Sequence, residues 1–255
     1  MAIKMAKKNQ IETGDVETIV WVKATFHFHV FHYRMPGTVA IASITPFVVS
    51  PLTVKMAMIA ALLQRGDADN AENLVPYLPK IRVYAIPPKA AFSFKAFMRY
   101  RSVPAIESNK GLDEDGSYYP SRPHIREYAL FQGDFDVLIG LPSEKLLSYV
   151  EKALQNIRYL GAKDSFTWCK SIEKIEVDED IKKLAVEKLI CSKEKGGTIA
   201  LLDDFVEHAK ITLSQIIPGF RKKEHYQHPK PYVLPGKIIT RGRTRLFLRH
   251  DFFGQ

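Results

Sequence analysis

The stretch TIVWVKATFHFHVFHY, Thr18 to Tyr33, decides how the rest of the chain is read. β-branched and aromatic residues dominate it, and neither Gly nor Pro interrupts until Pro36. That is the composition of a strand on a half-buried, pleated surface. After the Pro36-Gly37 turn and a loop through Pro46, Ser50-Pro51 reads as a helix start. The serine can accept from the free N–H groups of the first turn, and a proline at the first helical position forfeits no intrahelical bond. The helix runs through Thr53, Lys55, Met56, Ile59, Ala60 and Leu63 and stops at Gly66. It is apolar on most faces and is therefore expected to press against a sheet.

Further along, Ile81 to Ile86, closed by Pro87-Pro88, and Ala91 to Arg101 both read as strands. In the second, Phe92, Phe94, Ala96 and Met98 alternate with Ser93, Lys95, Phe97 and Arg99. Residues 102–122 lose all periodicity, and a structureless loop of about 20 residues inside a compact domain is usually functional or disordered. His124 to Phe131 and Phe135 to Leu141 are two more strands, joined by Gln132-Gly133-Asp134, a short hairpin signal. Ser143 with Glu144 opens a helix whose Leu146, Leu147, Val150 and Leu154 form one stripe, ending before Gly161, and Ser165 to Ile172 is a last strand.

This order, β, α, a run of β, then α and β, predicts an α+β chain. Its centre is a ferredoxin-like (RRM-like) βαββαβ domain over residues 18–175, with a long basic hairpin around 88–128. A basic segment, 1–17, precedes it and a C-terminal extension of helix and basic strands, 176–255, follows. In the extension Asp178 to Ile190 predicts a helix, Thr198 to Lys210 reads as helix or strand, and Pro231 to Phe253 reads as a basic hairpin.

With 255 residues and 46% apolar composition the chain can bury a sizeable core, which excludes a disordered tail protein. No run of about 18 apolar residues exists and Met1 to Gln10 is not followed by an apolar stretch, so no membrane association and no standard secretion signal are expected. Cys169 and Cys191 have no neighbouring ligand pattern, which argues against a zinc module and a disulfide framework, and a reducing, cytoplasmic setting is the expectation.

The net charge of +9 is segregated. Lys80 to Arg101 holds six bases and no acid, and Arg221 to Gln255 nine bases against two acids, whereas Ser171 to Glu207 carries ten acids against six bases. Basic blocks of this kind suit a polyanion partner, because phosphate contacts gain from the release of condensed counterions.

Several constellations could carry chemistry. His27 and His29 share a face of the first strand and His32 points away, so a three-ligand metal site would need a bulge, and no acid stands nearby in sequence to complete one. Ordinary strand histidines, RNA contacts and general bases are the readings left, with Tyr33 or Lys55 as helpers in the last case. Asp134 and Asp136, like Asp113, Glu114 and Asp115, read as turn residues. Ser50, Thr53 and Lys55 at the helix start could form an anion site. Along Ala91 to Arg101, Lys95, Arg99 and Arg101 could follow a phosphate backbone while Phe97 or Tyr100 offers a face to a base. Arg241, Arg243 and Arg245 form the third basic candidate. No GxxxxGK[ST], GxSxG, HExxH or GxGxxG is present, so nucleotide hydrolysis, serine hydrolysis, zinc proteolysis and dinucleotide binding lose their usual support; no cofactor and no metal are expected.

Taken in order, several segments are recognisable together: the helix start Ser50-Pro51-Leu52-Thr53-Val54-Lys55, the basic hairpin, Arg126-Glu127-Tyr128, Gly133-Asp134-Phe135-Asp136-Val137-Leu138-Ile139, and Tyr159-Leu160-Gly161-Ala162-Lys163-Asp164-Ser165. Over roughly residues 18–175 the chain resembles the CRISPR-associated RAMP superfamily, and within it the small subunit that caps the 5′ handle of the guide RNA in type I Cascade complexes. The resemblance implies a hairpin that extends as a thumb against the neighbouring backbone subunit. It implies crRNA and the other Cascade subunits (the backbone RAMP subunit and the large subunit) as partners, with target DNA reached indirectly in antiviral defence. By position it places Ser50, Thr53 and Lys55 in the helix-start segment and Lys95, Arg99, Arg101, Arg122 and Arg126 on or beside the hairpin. The glycine-rich loop near the C-terminus typical of the repeat-cleaving ribonucleases is not evident, since Pro235-Gly236-Lys237 and Arg241-Gly242-Arg243 hold only isolated glycines. The expectation is a non-catalytic RNA-binding subunit, with a metal-independent endoribonuclease using His27 or His29 as the alternative.

Overall fold

β1 (Val20–Phe28) buries alternate side chains, Val22, Ala24, Phe26 and Phe28, as the period of two requires of a strand with one face on a core. The structure is a computed structural model and describes residues 20–35, 44–101, 121–189, 196–216 and 223–253. The expected N-terminal segment, 1–17, and nearly all of the loop expected over 102–122 lie outside these residues; Ser121 and Arg122 belong to a strand.

β1 lies between β5 (Phe135–Leu141) and β6 (Thr167–Ile175), and β2 (Arg82–Ile86) pairs with the far side of β5. All pairs are antiparallel and the order is β2-β5-β1-β6. α1 (Pro51–Gln64) and α3 (Leu147–Gln155) pack on the buried face. Ser50 caps α1 from an extended backbone and Pro51 opens it, as its sequence dictates. The arrangement β1-α1-β2-β5-α3-β6 is the ferredoxin-like βαββαβ. A short helix, α2 (Ala68–Leu74), follows α1; its mostly polar seven residues offered the sequence reading no stripe to follow.

Between β2 and β5 the chain inserts the long hairpin, β3 (Ala90–Arg101) and β4 (Ser121–Gln132), paired in unbroken register from Ala90↔Gln132 to Arg101↔Ser121. One expectation is corrected here. Gln132-Gly133-Asp134 is not a hairpin turn, because β4 stays with β3 while β5 enters the other sheet. Gly133, at φ 91°, redirects the chain at this corner. The two sheets are knitted just above it: β1 ends at Phe28 rather than Tyr33, and Phe31 then bridges to Ala129 of β4. The Phe31 ring meets Phe131 at 4.7 Å and Phe28 at 5.2 Å, and Phe28 meets Phe135 at 5.8 Å. Such pairs are worth about 0.5–1.5 kcal/mol each beyond their buried area.

The extension folds back onto this frame. α4 (Glu179–Leu184), capped by Asp178, is shorter than the helix expected to Ile190 and gives way to β7 (Glu187–Lys188). The ambiguous segment after Thr198 begins as a strand, β8 (Thr198–Leu202). The expected hairpin over Pro231 to Phe253 divides: β9 (Lys230–Leu234) sits between β7 and β8, while β10 (Gly236–Arg241) and β11 (Thr244–Arg249) form the hairpin proper. β11 pairs with β3, so the C-terminal strands complete the sheet of the long hairpin, in the order β10-β11-β3-β4. Ala200, Leu202, Phe205, Tyr232 and Leu234 join the same buried core as β1 and α1. No helix among the described residues is long and apolar enough to cross a membrane.

Candidate nucleic-acid interface

The helix start is not an open anion site. Tyr33 donates its O–H to Ser50 Oγ at 2.8 Å, Thr53 Oγ1 donates to the Tyr33 oxygen at 3.1 Å, and Ser50 Oγ also accepts from the Thr53 N–H. The Leu52 N–H is taken by the Asp203 carbonyl. Lys55 is 1% exposed, with Nζ 2.7 Å from Asp204 Oδ1; burial pushes its pKa down while Asp204 opposes the shift. Lys55 and the Leu52 N–H therefore tie α1 to the segment after β8 while Ser50 ties it to Tyr33, and of Ser50, Thr53 and Lys55 only Thr53 keeps partial exposure.

Burial, with the charge of Asp203 adding to it, pushes the Tyr33 phenol up to about 12. Its folded-state pKa lies above the unfolded value, so its contribution to stability is whole below about pH 10 and is lost as pH rises toward 12. In an alkaline absorbance titration, the difference between wild type and Tyr33→Phe is expected to show a midpoint near 12; a midpoint near 10 would contradict the buried network.

Arg245 is likewise turned inward. It lies 13% exposed beside the fully buried Glu127, with Nη1 3.3 Å from Glu127 Oε2 and Nη2 donating to the Thr45 carbonyl at 2.8 Å. Its guanidinium carbon stands 4.9 Å from the centre of the Phe47 ring. Glu127 also accepts from the Thr45 N–H and the Ser93 hydroxyl, each at 2.7 Å, and its carbonyl accepts from His32 Nδ1 at 2.8 Å. Arg245, expected on an RNA surface, instead anchors the base of the hairpin. Its basic neighbours Arg241 and Arg243 are exposed around the Gly242 turn.

Above this anchor the same face of β3 opens to solvent. Lys95, in register with Glu127, is exposed, and Phe97, in register with Ile125, is 68% exposed. Arg99 and Arg101 continue β3 and Arg122 stands on β4; their side chains fall outside the description. Arg126, on β4, is partly exposed and bonds Asp164 Oδ2 at 2.6 Å, an oxygen that also accepts from Tyr128 at 3.0 Å. On the opposite face of this sheet Ile239, Leu246, Phe92 and Leu130 stand in one register row and are all exposed, a cross-strand row that a reading strand by strand does not reveal.

The candidate catalytic set is not assembled. His27 lies on the face of the first sheet opposite α1 and α3, whereas Lys55 belongs to α1, and both Lys55 and Tyr33 are buried with their polar heads bonded elsewhere. The alternation of β1 puts the sheet between them. His27 does have the acid that sequence proximity withheld: its Nδ1 is 3.2 Å from Asp134 Oδ1, and Lys170 Nζ is 2.7 Å from Asp134 Oδ2. Partial burial alone would push the Asp134 carboxyl up, but the bonds from Lys170 and His27 prevail and hold it below the usual aspartate range. Asp136 accepts from Thr25 Oγ1 at 2.7 Å. Both aspartates thus do more than shape a turn. Among the described residues no group of three or more His, Cys, Asp or Glu is placed to hold a metal ion.

No protein-family model matches the chain. A curated relative, CRISPR-associated protein Cas5 of Archaeoglobus fulgidus, is 25% identical over 232 residues, which are 88% of this chain and 95% of the relative. The crystal structure of a CRISPR protein from Archaeoglobus fulgidus is similar over 91% of this chain and 92% of its own, with 10% identity and a TM-score of 0.44. A chain of a CRISPR RNA-guided surveillance complex is similar over the same shares, with 11% identity and a TM-score of 0.42. The resemblance to the CRISPR-associated RAMP proteins read in the sequence stands, and the curated Cas5 protein is the relative that supports it.

Proposed function

We propose that this chain is a CRISPR-associated subunit that holds guide RNA without cutting it, capping the 5′ handle in a type I Cascade complex. The observation that carries this reading is the long β3–β4 hairpin, fixed at its base by the buried Glu127–Arg245 pair and presenting Lys95 and Phe97 beyond it. A cation beside an exposed ring is the combination that follows a single strand, with the charge on phosphates and the ring under a base. The likeness to a curated Cas5 over most of the chain supports the same reading. Arg99 and Arg101 extend the basic track along β3, Arg122 and Arg126, in register with Tyr100 and Ala96, add positive charge at the alternate positions of the hairpin, and Arg241 and Arg243 flank it at the β10–β11 turn. Ser50 and Lys55 leave the interface and act from within, by setting α1. The row Ile239, Leu246, Phe92 and Leu130 is the surface we assign to a neighbouring backbone or large subunit. Target DNA is reached through the complex, and the setting is cytoplasmic.

A second reading is favoured by one observation, the His27–Asp134 pair, which has the geometry of an oriented general base. The two readings separate in one experiment. Wild type incubated with end-labelled repeat RNA and a chelator is expected to yield bound, intact RNA, with His27→Ala and His29→Ala changing retention but no cleavage rate. Chelator-resistant cutting that is lost in either variant while binding persists would establish the endoribonuclease, since acid or base groups contribute about 10²–10⁴ in rate.

A further inference from the structure

The face of the ferredoxin-like sheet opposite α1 and α3, which α4 covers only around Leu138 and Ile86, carries an aromatic platform of its own at its β6 edge. Trp168 is 40% exposed and Phe166, two residues before it, 60% exposed. Thr167 between them is buried, so both rings stand on the open side. Two residues of strand span about 6.6 Å, a step that successive bases of an extended strand can match. His27 and His29 flank Trp168 with ring centres at 4.5 and 5.0 Å.

This juxtaposition depends on an irregularity in pairing. The β1–β6 register passes from Thr25↔Ser171 to Phe26↔Cys169, leaving Lys170 as the extra residue and bringing His27 opposite Trp168. The displaced Lys170 bonds Asp134, which also bonds His27, so the histidine ring beside the tryptophan is oriented from behind. Exposed cations stand close to the rings along the backbone: Lys170 two residues after Trp168, Arg158 with its carbonyl bonded to the Thr167 N–H, and Lys163 in the turn before Phe166.

We infer that Phe166 and Trp168 form a stacking site for two bases of a single-stranded RNA, separate from the β3–β4 hairpin, with His27 and His29 enclosing the second base. Exposed rings at strand spacing with cations at their margin are what sequence-tolerant single-strand binding uses. The inference rests on the reading of the chain as an RNA binder and adds a second contact region to it, on a different sheet.

Trp21 and Trp168 are the two tryptophans of the chain, so full-length Trp21→Phe reports Trp168 alone. Unlabelled single-stranded repeat RNA is titrated into it while anisotropy of a labelled copy follows binding in parallel. The emission of Trp168 is expected to be quenched with the same midpoint as the anisotropy. The exposed pair Trp168→Ala and Phe166→Ala together is expected to weaken binding by about tenfold or more, and Trp168→Phe, which keeps a ring, to retain most of the affinity. RNA that binds with unchanged Trp168 emission and unchanged affinity in the double variant overturns the platform and leaves the RNA-binding reading in place. Absence of RNA binding by wild type overturns both.

Discussion

Glu127→Ala is expected to destabilise the chain by about 3–5 kcal/mol, the cost typical of stranding a buried charge. Its carboxylate is fully buried and satisfies the Thr45 N–H, the Ser93 hydroxyl and the Arg245 guanidinium at once. Truncation leaves two neutral donors without a partner and Arg245 without its acid, while Arg245 can reach water through only 13% of its side chain. Glu127→Gln preserves shape and one acceptor but removes the charge, and should fall between wild type and alanine. A double variant, Glu127→Leu with Arg245→Met, removes both charges and should recover part of the loss, because replacing a whole buried pair is far cheaper than breaking it. Urea unfolding at constant slope measures the series. A loss below about 1 kcal/mol for Glu127→Ala would mean that the pair does not anchor the hairpin.

The importance of Glu127 is also an example of what the sequence could not disclose. The elements of the ferredoxin-like frame were legible because their signals are local: the alternation of β1, the Ser50-Pro51 start of α1, the stripe of α3. Burial of a charge depends on partners far along the chain. Arg245 finds Glu127 across 118 positions, Lys55 finds Asp204 across 149, and His27 finds Asp134 across 107. Read one residue at a time, Arg245 and Lys55 are indistinguishable from surface bases, and His27 has no acid in sight. The β4–β5 corner failed for a related reason, since Gly133 offers the same positive φ whether the strands it joins pair or part. Gly161, in contrast, was quoted in the recognisable turn and proves to be demanded by space: at φ 104° a Cβ there would stand 2.8 Å from the His32 carbonyl oxygen. The platform at Phe166 and Trp168 was missed because only the irregular β1–β6 register brings the histidines to the tryptophan.

Replacing Lys95, Arg99 and Arg101 together by alanine is expected to cost about 100-fold in RNA affinity near 0.1 M salt. Each cation that neutralises a phosphate of a single strand contributes about 0.7 unit to the slope of log affinity against log salt, so three contacts remove about 2 units. The effect should be nearly the same for unrelated single-stranded RNAs, because phosphates carry no sequence. Lys95 is the member of this set whose exposure is described, and the buried Glu127–Arg245 pair beneath it holds β3 in place, so the variant should keep the wild-type unfolding profile. The most direct test of the hairpin as the RNA-holding element is the salt dependence of binding measured side by side for wild type and this triple variant. A slope flattened by about 2 units with folding intact is the predicted result; an unchanged slope would contradict it and move the phosphate contacts off the hairpin.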